Sequence, residues 1–98
     1  MDFWINSDVQ TLDFSIVEEI NEMTGKEHPP MTSPACLPFI FKELKSKLWK
    51  WHIESFDTSY VMVIYPGPDD ERCFAQDIDL FRTVYLAYYD ALIYEKNQ

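Results

Sequence analysis

The hydrophobic period of the chain changes twice along its length. Over residues 11–25, TLDFSIVEEINEMTG, the apolar positions Leu12, Ile16, Val17, Ile20 and Met23 recur at helical spacing, with Asp13, Glu18, Glu19 and Glu22 on the other side. That pattern predicts an amphipathic helix. Thr11 or Asp13 can cap its start, and Gly25 suits the left-handed residue that ends many helices. Upstream, residues 1–10 read as an N-terminal arm or a short strand. Residues 26–38 hold four of the six prolines and read as a loop. Pro38 fits the first turn of a second helix expected over Leu37–Ser46. Ile40, Phe41 and Leu44 would face inward there, and Lys42, Glu43 and Lys45 outward.

At LWKWHIES, residues 48–55, the period becomes two. Trp49, Trp51 and Ile53 share one parity, and Lys50, His52 and Glu54 share the other, which predicts a strand. FDTS follows as a turn, and YVMVIY, rich in β-branched and aromatic residues, reads as the second strand of an antiparallel hairpin. Residues 66–76 carry turn signals and leave room for a third extended segment at Arg72–Ala75. The period then returns to that of a helix. Asp77 is placed to cap it, and Ile78, Phe81, Tyr85, Tyr88 and Leu92 form a stripe beside Leu80, Val84, Ala87 and Ala91. Asp79, Arg82, Thr83 and Asp90 would mark its solvent side.

The expected architecture is α+β: a small antiparallel sheet, a hairpin with room for a third strand, packed on two or three helices. Residues 1–98 suit one domain. The tryptophan face of the first strand is expected to meet the helices. Lys50, His52 and Glu54 then stand on an uncovered sheet face.

Charge narrows the functional classes. The chain carries a formal −9, from 17 acidic against 8 basic residues, and its lysines cluster at Lys42, Lys45, Lys47 and Lys50. Such a balance argues against direct, non-specific binding of nucleic acid or of an anionic membrane, and permits a basic protein partner. The start, MDFWINSD, lacks the features of a signal peptide, and the longest apolar run, Tyr60–Tyr65, is far too short to span a bilayer. Cys36 and Cys73 read as reduced thiols in a cytoplasmic protein, with a bridge between them left open.

Candidate chemistry is sparse. His28, Cys36, His52 and Cys73 lack the close pairing of zinc ligands. No glycine-flanked nucleophile or phosphate-binding loop is present. No metal, no cofactor and no enzymatic activity are expected. The densest acidic run is Asp69, Asp70 and Glu71, in a loop where partner contacts often fall. These three, with Lys50, His52 and Glu54, are the candidate partner-binding residues.

A resemblance adds a setting. The helix ending EINEMTG, the proline-bearing loop, the helix CLPFIFKELKSK, the strands WKWHIES and YVMVIY and the helix segment LAYYDALI follow one another from Ser15 onward. This order resembles the small bacteriophage proteins of the phage ABA sandwich domain family. The chain departs from that pattern in its longer N-terminal extension and its tyrosine-heavy last helix. The resemblance implies a phage or mobile-element origin and no particular chemistry. Together with the acidity, it leads us to expect a small protein-binding module, an inhibitor of a host defence system that blocks a basic, nucleic-acid-binding surface. An immunity protein for a bacterial toxin fits the same features. So does a phage structural or assembly protein that self-associates into a homo-oligomer.

Overall fold

A computed structural model describes residues 5–67 and 72–97, with side chains described from Asp13 onward. The elements are α1 (Ile5–Thr24), α2 (Cys36–Ser46), β1 (Lys50–Ser55), β2 (Tyr60–Tyr65), β3 (Cys73–Asp77) and α3 (Leu80–Lys96). The fold is α+β. The three strands form an antiparallel sheet in the order β1-β2-β3, and the third strand follows from Cys73 rather than Arg72.

The first helix begins earlier than the sequence pattern suggested. Residues 5–10 belong to α1, so they are neither arm nor strand, and Asp13 lies inside the helix instead of capping it. Ile5, Val9, Leu12 and Ile16 already follow the three- and four-residue steps of a helix, so the same period extends upstream. Gly25 ends α1 as expected, with φ +71° and its N–H bonded to Asn21 O at 2.8 Å.

Pro38 sits in the first turn of α2, where its missing N–H breaks no bond. That helix ends in a double closure: Trp49 N–H donates to Leu44 O and Leu48 N–H to Lys45 O. This is the Schellman arrangement, and it requires a left-handed residue at Leu48, where φ is +61°. Glycine usually fills that place. A side chain there costs about 1–2 kcal/mol, the penalty of the left-handed conformation for an L-residue.

The sheet presents one face to the helices. Met62 and Ile64 of β2 and Cys73 of β3 are buried on it, together with Ile40 and Leu44 of α2, Val17 and Ile20 of α1, and Val84, Tyr85, Ala87, Tyr88, Ala91 and Leu92 of α3. α3 lies against β2 and β3, α1 packs on α3, and α2 approaches β1. Two expectations for the tryptophans need adjustment. Trp49 precedes β1 and is half-buried, with the Lys47 ammonium 4.8 Å from its ring centre. Trp51 points toward α2 and stacks flat on Phe41 at 4.6 Å, but 37% of it stays exposed. β1 is an edge strand, so its inward residues are covered on one side only.

Four further residues depart from their expected positions. Ile78 is 77% exposed because it falls in the turn between β3 and α3, before the helical stripe begins. Asp79, not Asp77, caps α3 by accepting from Arg82 N–H at 3.1 Å. Asp77 closes β3 and accepts from the Asp79 N–H instead. Thr83, expected at the surface, is buried, its hydroxyl donating to Asp79 O at 2.8 Å. Of the six tyrosines, Tyr85 and Tyr88 are buried, and Tyr60, Tyr65, Tyr89 and Tyr94 are partly exposed.

Candidate functional site

The loop after α1 is held by a buried polar node. Glu43, expected at the surface, and His28 are both buried. Glu43 Oε1 receives Tyr88 OH at 2.8 Å and lies 2.5 Å from His28 Nε2, while Oε2 lies 3.4 Å from Lys26 Nζ. Asn21 Oδ1 accepts the His28 backbone N–H at 2.9 Å and sits 2.7 Å from His28 Nδ1. A backbone amide can only donate, so the asparagine oxygen must occupy that position and Nδ1 must donate to it. Burial works to raise the Glu43 pKa, but hydrogen bonds from His28 and Tyr88, the His28 charge and Lys26 outweigh it and lower it. The carboxylate therefore accepts from Tyr88, and both ring nitrogens of His28 are engaged, Nδ1 by Asn21 and Nε2 by Glu43.

That commitment decides what the node can do. With both ring nitrogens engaged inside the protein, His28 ties the loop to α1 and α2. The Tyr88 hydroxyl is pushed well above its ordinary range by burial and by donation to Glu43. The Tyr85 hydroxyl, also raised by burial, donates to Pro29 O and fastens the same loop to α3. Cys36 is fully buried, and desolvation, helped by the Asp79 charge, pushes its thiol up to about 11. Little thiolate exists there at neutral pH. Cys36 and Cys73 are not joined in a disulfide. Among the described residues, no three His, Cys, Asp or Glu side chains are grouped to hold a metal ion, and no helix is long and apolar enough to cross a membrane.

A second cluster joins the helical layer to the sheet. Arg82 of α3 donates to Asp13 of α1 at 2.8 Å and to Asp77 at the end of β3 at 2.5 Å. Burial lowers the Arg82 pKa, but the two carboxylates more than compensate and raise it. These three residues are mutually satisfied and leave the rest of α1 to its own charge.

That charge is concentrated. Ser15, Glu18, Glu19, Asn21, Glu22 and Glu27 line one groove of about 520 Å³ beside α1, with no cation among them. None of Glu18, Glu19, Glu22 and Glu27 is in an ion pair among the described residues. Glu18 and Glu22 stand one helical turn apart, as do Glu19 and Glu22. Like charges at these spacings destabilise a helix by about 0.2–0.5 kcal/mol per pair. Tyr89 OH donates to Glu19 at 3.2 Å, and its own pKa is raised by burial and by that carboxylate. An adjoining groove is lined by Phe14, which is exposed, together with Asp13, Glu18 and Glu27.

Of the residues singled out from sequence, Lys50, His52 and Glu54 stand on the open sheet face, all exposed. They share it with Val61, Val63, Tyr65, Phe74 and Gln76 through the strand register. Asp69, Asp70 and Glu71 lie outside the described residues. The acids of α1 were legible as a polar helix face, but that pattern is also what any solvated helix shows. Their grouping with Glu27 across a chain turn required the fold. The His28 node had no signal at all, since a lone histidine after a helix reads as surface.

Comparison with protein-family models, with curated proteins and with solved structures finds no match to this chain.

Proposed function

We propose that the protein is a small acidic binding module whose α1 face occupies a basic surface on another protein. The observation that carries this reading is the groove of carboxylates outside any ion pair among the described residues, Glu18, Glu19 and Glu22 on α1, held there at a cost in helix stability, and Glu27 from the loop that follows. A row of uncompensated charge is what an electrostatically steered partner of opposite sign would require. Phe14, exposed beside it, supplies an apolar anchor of the kind interfaces favour. Asp69, Asp70 and Glu71 extend the acidic character on sequence grounds, and Lys50, His52 and Glu54 belong to a separate face.

The biological setting that suits such a module is inhibition in the cytoplasm of a bacterial host. There, a phage- or mobile-element-encoded protein would block a basic, nucleic-acid-binding site of a defence protein. The test is capture from host lysate at low and at high salt with the native chain and with the E18K/E19K/E22K variant. One dominant basic partner, retained by the native chain at low salt and lost by the variant, supports the reading. A partner held equally by both chains at both salt concentrations would sink it.

A further inference from the structure

β1 forms one edge of the sheet, and every residue in it except Ile53 is exposed. The Phe56 N–H donates to Ser59 O at 2.8 Å, which fixes the phase of the hydrogen-bond ladder. In the antiparallel alternation Glu54, His52 and Lys50 then bond to β2, and the N–H and C=O groups of Trp51 and Ile53 point to the open edge. No backbone bond outside the ladder closes on those groups among the described residues. Such a row is a template for another strand.

The strand is also polarised. Lys50 stands at its beginning and Glu54 near its end. A copy added antiparallel sets each end against its opposite, whereas one added parallel sets like against like. We propose that β1 pairs with β1 of a second copy of this chain, antiparallel about a two-fold axis at His52, to form a continuous six-stranded sheet. In this register Lys50 faces the second copy's Glu54, twice by symmetry, on the open face. Trp51 faces the second copy's Ile53 on the helix face, and the edge groups of these two residues satisfy one another.

Two further observations fall into the same register. Leu48, 87% exposed, and Phe56, 53% exposed, flank β1 and are brought opposite each other by the same count. Leu48 also holds a left-handed conformation that glycine would adopt without strain. In this register the exposed leucine would cover Phe56 of the second copy. Moving the axis to Trp51 would set Lys50 against His52, and moving it to Ile53 would set Lys50 against Phe56. Both alternatives lose the two ion pairs.

This inference goes beyond the acidic face and does not depend on it. Sedimentation of the full chain from micromolar to millimolar concentration tests it, with circular dichroism as a check on folding. The native chain is expected to form a dimer. K50E and E54K, each at an exposed position, should each weaken it roughly tenfold by turning both cross-strand pairs repulsive. An equimolar mixture of K50E and E54K should recover a heterodimer, because every charge pair is again opposite. A native chain that stays monomeric, a dimer unaffected by K50E, or a mixture that recovers no dimer would each overturn the proposal.

Discussion

The Tyr88 hydroxyl donates to Glu43 Oε1 at 2.8 Å, joining α3 to α2 through a buried carboxylate that also holds His28. Removing the carboxylate strands two donors in a dry setting. Glu43→Ala is expected to cost about 3 kcal/mol, the lower end for breaking a buried charged pair. Tyr88→Phe should cost less, about 1–2 kcal/mol, since one hydrogen bond is lost and the ring still fills its space. Urea denaturation monitored by tryptophan fluorescence checks both. Equal losses for the two variants would contradict the central position of Glu43.

The same carboxylate makes stability depend on acid. Its pKa is lowered in the folded state, so folded Glu43 binds a proton less readily than unfolded Glu43. The stabilisation is present above the unfolded value of about 4.3 and is lost as pH falls through the lower folded value. Glu43→Gln should therefore lose less stability than the native chain as pH falls through this window. Thermal melts of both chains at acid and neutral pH would show it. Parallel pH curves would mean that other carboxylates dominate acid unfolding.

Cys36 and Cys73 are both buried, and the Cys36 thiol is pushed up to about 11. Alkylation should accordingly be slow in the native protein and follow opening of the fold. Mass spectrometry after timed iodoacetamide exposure, with and without denaturant, measures this. Rapid native labelling of Cys36 would show that α2 opens locally.

Leu48→Gly should stabilise an isolated chain by about 1 kcal/mol by relieving the left-handed strain. Denaturant midpoints of dilute protein give the sign. A loss of stability would mean that the Leu48 side chain contributes within the chain despite its exposure.

Glu22→Lys should leave the fold intact or raise its stability by a few tenths of a kcal/mol, since the i,i+4 repulsion with Glu18 becomes an attraction. Partner binding through the acidic face would fall in the same variant. A drop in stability would assign these acids a structural role in place of the proposed one.

Much of the fold follows from periodicity. The helix at Ile16–Met23, the hairpin of LWKWHIES with YVMVIY and the buried stripe of α3 are each written in local spacing, because burial on one face imposes a period of 3.6 or 2. The outward direction of Lys50, His52 and Glu54 came from that same alternation. What failed was local reading at element ends and at lone polar residues. Ile78 fits the apolar stripe of α3 but falls one turn too early. Asp77 and Asp79 offer the same cap, and only the strand end decides between them.

Tertiary structure alone decided which polar groups go inside. Glu43 repeats like a surface residue on α2, and His28 follows a solvated turn. They are buried because α3 brings Tyr88, and α1 brings Asn21, to the same point. Sequence by itself determined the α+β class, the pairing of the β1–β2 hairpin and the acidity of the chain, since these depend on local period and on summed charge. Which carboxylates are neutralised inside and which stand unpaired along α1 depends on residues far apart in the chain. No local pattern records that pairing, because its energy exists only once the helices meet.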